Sequence, residues 1–189
     1  MKRNKEYRFC PLCGGVLTRR LIKTGEPERL VCLQCDFVFY LDPKIAACAI
    51  VEIDGEILLL KRGIPPAVGS WVIPGGFVDP GERVNDAAAR ETREEVRLDV
   101  EIGSLVGLYS YTDVTVVVAV YEAVWRGGRP EAADETLAVR LFKPTAIPWH
   151  AIAFTSTRDA LLDYLKKHHP RAVPETVPPI ASFGTIVPA

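Results

Sequence analysis

Two Cys-x-x-Cys pairs, Cys10/Cys13 and Cys32/Cys35, stand eighteen residues apart near the start of this 189-residue chain. Each pair suits a tight knuckle, and the spacing is that of a four-thiolate Zn2+ ribbon. A site closed by four cysteines has no open coordination position, so it predicts a structural metal and no chemistry at the ion. A module of under forty residues cannot bury an adequate core by itself, and metal binding supplies the missing folding energy. The fifth cysteine, Cys48, lies in the apolar run Ile45 to Val51 and reads as a buried, inert thiol.

A second feature is the crowding of Glu91, Glu94 and Glu95 on one predicted helix. Residues three and four apart are neighbours on a helix, and like charges there cost about 0.2–0.5 kcal/mol per pair. Arg90, Arg93 and Arg97 are interleaved with them, so a solvated charged face is the plain alternative. The segment before the helix argues for more. Trp71 to Phe77 reads as a short apolar strand broken at Pro74-Gly75-Gly76, followed by Asp79-Pro80-Gly81 and a run of helix formers. Strand, glycine loop and helix bring main-chain carbonyls beside the carboxylates, an oxygen-rich donor set suited to Mg2+.

Gly76, Glu82 and then Arg90-Glu91-Thr92-Arg93-Glu94-Glu95-Val96-Arg97-Leu98 resemble the Nudix box, GX5EX7REUXEEXGU, with every charged position at its spacing. Thr92 stands where an aliphatic residue is usual. Arg97 replaces the final glycine, which leaves the end of the helix in question because that position favours a left-handed backbone. The resemblance implies an α/β/α sandwich with a mixed sheet, preceded by the zinc ribbon. The expected organisation is a ribbon over residues 1–38, a Nudix hydrolase domain over 39–168 and an extended tail over 169–189, since residues 170–189 contain five prolines.

Along the chain, Lys44–Ile53 and Glu56–Arg62 read as strands joined at Asp54-Gly55, a hairpin turn signal. The box helix is expected from Val84 to Val96. Further strands are expected near Asp99–Ile102, Ser104–Tyr111, Val114–Trp125 (ended by Gly127-Gly128) and Leu137–Phe142. A last helix runs to Lys167, capped by Ser156 or Thr157 and burying Leu161, Leu162 and Leu165.

The resemblance also implies roles. Glu91, Glu94, Glu95 and the Gly76 carbonyl hold Mg2+ or Mn2+, Arg90 orients Glu91 or Glu94, and Glu82 supports the loop. A further acid from outside the box is expected at Glu135, with Glu131 and Asp113 as alternatives. Arg62 at the hairpin end is a candidate phosphate contact, and Tyr109, Tyr111, Trp149 and Phe154 are available for stacking. His150, His168 and His169 show no metal spacing with another ligand.

The implied reaction is hydrolysis of a diphosphate linkage in a nucleoside diphosphate derivative. No SQPWPFP stretch, the mark of NADH pyrophosphatases, occurs between Leu98 and Trp125. Glu135 to Phe142, Ile147 to Ser156 and Phe183-Gly184-Thr185-Ile186 are instead similar to the zinc-ribbon Nudix group that includes plastid-type FAD and ADP-ribose pyrophosphohydrolases. FAD or ADP-ribose, releasing AMP, is therefore the first expectation. NADH or NAD-capped RNA pyrophosphatase activity, or a nucleic-acid-associated ribbon protein, is the alternative. Residues 1–38 carry eight Lys or Arg against four acids. The whole chain has a net charge of −1, which predicts no general polyanion affinity. No run of eighteen apolar residues and no apolar leader segment is present, so a cytoplasmic protein is expected, and zinc-ribbon Nudix proteins imply a homodimer.

Overall fold

The computed structural model describes residues 7–180. Lys2, Arg3 and Lys5 of the basic segment, and Phe183 to Ile186 with the rest of positions 181–189, lie outside them. The chain divides into two compact units, one ending at Asp42 and one beginning at Pro43.

The first unit is a three-stranded antiparallel sheet of β1 (Leu17–Arg20), β2 (Arg29–Cys32) and β3 (Val38–Phe39). Its core is small: Cys10, Leu17, Leu30 and Cys32, with Phe37 and Phe39 packed against them. Two of those four buried side chains are thiols, so little apolar surface holds the unit together. The sheet runs on to Phe39, one residue past the expected boundary.

The second unit holds β4 (Lys44–Ile53), β5 (Glu56–Arg62), β6 (Trp71–Val72), β7 (Gly75–Phe77), α1 (Val84–Val96), β8 (Leu98–Tyr109), β9 (Val116–Gly128), β10 (Thr136–Phe142) and α2 (Thr155–His168). The strands lie in the order β10-β5-β4-β9-β8, with β6 added to β5 and β7 to β4. β4 and β9 are parallel and the other pairs antiparallel, giving the expected mixed sheet. Alternation along β4 and β5 separates two cores. Ile50, Ile57 and Leu59 meet Leu161 and Leu165 of α2, whereas Ala49, Val51, Leu58 and Leu60 meet Val96 and Leu98 at the end of α1. Helices thus cover both faces of the sheet.

The β4–β5 hairpin has its expected bounds, with Asp54 and Gly55 both at positive φ (52° and 80°), as a tight two-residue turn requires. Elsewhere the chain departs from expectation. Residues 98–109 form one strand and not two, because register shifts between Ile102 and Leu105 and between Leu105 and Gly107 absorb the irregularity around Gly103. The apolar segment before α1 breaks at Ile73-Pro74, and Gly75 and Gly76 belong to the second piece, paired with Cys48 and Ala47. Gly127 and Gly128 remain inside β9, opposite Asp99 and Leu98. α2 has Phe154 as its N-cap with no side-chain hydrogen bond, and it buries Thr157, Ala160, Leu161, Tyr164 and Leu165, leaving Leu162 only partly covered. After α2 a 3-10 turn at Pro170–Ala172 precedes Val173 and Ile180, both packed against the core.

Candidate active site

The box helix places its carboxylates by helical stacking. Ala88, Thr92 and Val96 are fully buried at i, i+4 and i+8, and Ala87, Glu91 and Glu95 form the adjacent row. Glu91 and Glu95 are therefore drawn partly under protein, while Glu94 stays exposed. Burial pushes the Glu95 carboxyl up to about 7, against the Gly75 N–H that donates to Oε2 at 2.8 Å. Burial also raises Glu91, opposed by its hydrogen bond from Arg90.

Arg90 is the hub of the site. Its Nε and Nη2 donate to the two Glu82 oxygens at 2.8 and 3.0 Å, Nη1 donates to Glu91 at 2.8 Å and to Glu94 at 3.0 Å, and Nη2 also reaches the Phe77 carbonyl at 3.1 Å. One guanidinium thus holds three carboxylates and the glycine loop. Glu82 also accepts the Asp79 N–H at 3.0 Å; with the Arg90 hydrogen bonds as the larger influence, its carboxyl is held down to about 2. Gly76 is required for close approach: a Cβ there would stand 2.5 Å from the Glu91 carboxylate.

Both departures from the box are accommodated. Thr92 is fully buried, and its hydroxyl donates to the Ala88 carbonyl at 2.7 Å, so no polar atom is stranded. Arg97 adopts the left-handed conformation in place of glycine (φ 57°, ψ 30°), its N–H bonding the Arg93 carbonyl, and α1 ends at Val96 as expected.

Residues Glu131 to Glu135 close the site by links that the sequence did not signal. The Glu131 and Ala133 N–H groups cap the Val96 and Glu95 carbonyls at 3.2 and 3.1 Å, and the Gly63 N–H donates to the Glu135 carbonyl at 2.6 Å. Glu135 is exposed and close enough to Glu95 and Arg62 to influence the ionisation of both. Asp113 lies at positive φ (64°) in the turn after β8. Arg62 Nε donates to the Pro66 carbonyl at 3.0 Å, and its guanidinium lies 5.0 Å from the centre of the Phe154 ring. Tyr109 and Tyr111 give their hydroxyls to Asp163 and Asp159 of α2, at 3.1 and 2.8 Å, and serve helix docking. Trp149 packs against the α2-side core. His168 and His169 pair with Glu122 and Glu52. Cys48 is only partly buried; burial, then the negative charges of Glu95 and Glu91, push its thiol up to about 12.

Among the described residues, the four cysteines form the one group of three or more metal-ligating side chains whose donor atoms converge, all within 4.8 Å of one another. Their Sγ–Sγ separations of 3.3, 3.4 and 3.8 Å compare with the edge of about 3.8 Å that a tetrahedron with Zn–S bonds near 2.3 Å requires. The Leu12 and Gln34 N–H groups point at Cys10 and Cys32 Sγ, each at 3.4 Å, as donors that stabilise thiolate. The donor set fits zinc. The helix carboxylates are instead drawn onto Arg90 and Gly75. As all-oxygen donors, two of them partly buried, they are suited in chemistry to a hard divalent cation.

Comparison with known proteins agrees with this geometry. The NUDIX domain profile matches residues 42–165, and the Nudix N-terminal zinc-ribbon profile matches residues 8–41. An ADP-ribose pyrophosphatase of Methanocaldococcus jannaschii is 35% identical over 161 residues, covering 82% of this chain and 88% of that protein. A NAD-capped RNA hydrolase NudC of Pseudomonas putida is 30% identical over 125 residues, and the match spans 43% of its length. A crystallised NUDIX hydrolase from Nitrosomonas europaea superposes with a TM-score of 0.82 at 35% identity, covering 87% of this chain and 93% of that one. With the box hub, the mixed sheet between helices and the four-cysteine ribbon all in place, the chain belongs to the Nudix hydrolase family, in its zinc-ribbon-bearing form.

Proposed function

We propose that this protein is a divalent-metal-dependent pyrophosphohydrolase that splits the diphosphate linkage of a nucleoside diphosphate derivative, ADP-ribose or FAD, and releases AMP. The observation that carries this reading is the Arg90 hub, which gathers Glu82, Glu91 and Glu94 beside Gly76 and next to the half-buried Glu95. Similarity to the M. jannaschii ADP-ribose pyrophosphatase over most of both chains supports the substrate class.

Glu91, Glu94, Glu95 and the Gly76 carbonyl would hold Mg2+ or Mn2+, which when bound offsets diphosphate charge and lowers the pKa of water. The chain's own residues do the rest. Arg90 balances the carboxylates and fixes their rotamers, the Gly75 N–H orients Glu95, and Glu135 takes the proton of the attacking water. The water oxygen bonds to one phosphorus, the bridging P–O bond breaks, and AMP leaves with ribose 5-phosphate from ADP-ribose or with FMN from FAD. Phe154 offers an aromatic surface at the rim. The ribbon carries structural Zn2+, and the zinc-ribbon Nudix resemblance supports a cytoplasmic homodimer acting on small nucleotides.

The test is Mg2+-dependent AMP release from ADP-ribose, FAD, NADH and a nucleoside triphosphate, with Glu95→Gln as the blank. Preference for ADP-ribose or FAD supports the proposal, and silence across the panel defeats it. A second reading, cleavage of NAD-capped RNA, is favoured by the NudC relatives, and capped RNA added to the same panel checks it.

A further inference from the structure

Arg62 stands at the meeting point of four segments. As the last residue of β5 it pairs with Thr136 at the start of β10, immediately after Glu135. Its backbone closes the Gly63–Ser70 loop at both ends: the Arg62 N–H donates to the Ser70 carbonyl at 2.9 Å, and the Gly69 N–H donates to the Arg62 carbonyl at 2.8 Å. Its side chain then turns inward across the same loop, Nε reaching the Pro66 carbonyl at 3.0 Å. The guanidinium carbon lies 5.0 Å from the centre of the ring of Phe154, the N-cap of α2, and the negative charges of Glu95 and Glu135 act on it.

The neighbouring backbone leaves little room for slack. Gly63 brings its N–H to 2.6 Å from the Glu135 carbonyl, where a Cβ on Gly63 would stand only 2.5 Å from that oxygen. The loop and the Glu135 segment are thus sewn to consecutive residues, Arg62 at the end of β5 and Gly63 just after it.

We propose that Arg62 is a positioning residue for the hydrolytic site and not solely a phosphate contact, locking the 63–70 loop and the Glu135 segment in place beside Glu95. This rests on the pyrophosphohydrolase reading. The chemistry explains the choice of side chain. Arginine alone combines a planar cation for the Phe154 ring, an Nε donor set back from the charged end for the Pro66 carbonyl, and a permanent positive charge. Lysine supplies the charge without the plane or the internal donor. Nε is spent on the Pro66 carbonyl, and the half-buried guanidinium is held beside the Phe154 ring.

Arg62→Lys and Arg62→Gln separate the two roles. Both variants are expected to lose kcat toward ADP-ribose in Mg2+ by roughly 100-fold, the scale of a misplaced reacting group, with KM changed less. Amide hydrogen exchange at Gly69 and Ser70 should accelerate in both, while the β4 and β9 amides keep their protection, which separates loss of the latch from loss of the fold. Restoration of wild-type kcat and KM by lysine, or a rise confined to KM with loop exchange unchanged, would overturn the proposal. If wild-type protein cleaves no diphosphate substrate, the pyrophosphohydrolase reading fails, but hydrogen exchange still reports the latch. Unchanged loop exchange in both variants overturns the latch whatever the substrate.

Discussion

Glu95 Oε2 accepts a 2.8 Å hydrogen bond from the Gly75 N–H, twenty residues earlier in the chain. That bond joins the box helix to the strand piece before it and aims a half-buried carboxylate at the glycine loop. Glutamine at position 95 keeps the volume and an acceptor for Gly75 but removes the charge. Glu95→Gln and Glu94→Gln are each expected to lower Mg2+-dependent turnover by about 100-fold or more, the scale lost with one electrostatic group at a reacting centre. Circular dichroism and the melting temperature should stay near wild type. Near-normal turnover in both variants would sink the assigned roles.

Gly76 is held to glycine by its neighbour. Gly76→Ala puts a methyl 2.5 Å from the Glu91 carboxylate, so either Glu91 leaves Arg90 or the loop moves. The expected result is a higher Mg2+ concentration for half-maximal activity, read from a metal titration. An unaltered titration curve would show that this contact does not govern the metal site.

Arg97 provides a test in the stabilising direction. A non-glycine residue in the left-handed region costs about 1 kcal/mol or more. Arg97→Gly should therefore raise the melting temperature by roughly 2–4 °C for a chain of this size. Because the Arg97 N–H bond to the Arg93 carbonyl at the helix end is a backbone bond that glycine keeps, turnover should be unaffected. A fall in melting temperature would mean that the arginine side chain contributes more than its backbone costs.

Acid sensitivity should trace to Glu82. Its carboxyl is held down to about 2 by hydrogen bonds from Arg90 and then from the Asp79 N–H, against an ordinary value of 4.5. A lowered folded-state pKa means that the stability it contributes is present above 4.5 and is lost as pH falls toward 2. Urea midpoints across that window should fall less steeply for Glu82→Gln than for wild type. Parallel curves would remove Glu82 from the account.

The ribbon should hold one Zn2+ per chain, released by a chelator with loss of the ribbon's structure. Cys32→Ser, which replaces a fully buried thiol, should lower zinc content and promote aggregation. Unchanged zinc content and melting temperature would show that the four thiols do not form the metal site.

Local chemistry carries much of this protein. The Cys-x-x-Cys spacing announces the ribbon, Asp54-Gly55 sets the hairpin, and the helix from Val84 to Val96 follows from good helix formers between a glycine loop and an apolar strand. Each of these depends on residues near one another in sequence, the two cysteine pairs being eighteen residues apart, so one-dimensional spacing suffices. Tertiary structure alone decided that residues 98–109 form one bulged strand, that Tyr109 and Tyr111 are claimed by Asp163 and Asp159, and that the 131–135 segment caps the end of the box helix. It also turned Arg62 from a free cation at a hairpin end into a side chain held by Pro66 and Phe154. These outcomes depend on which distant backbone groups and carboxylates are left without partners once the sheet has closed, and a buried polar group takes the partner that the fold brings to it, whatever its distance along the chain.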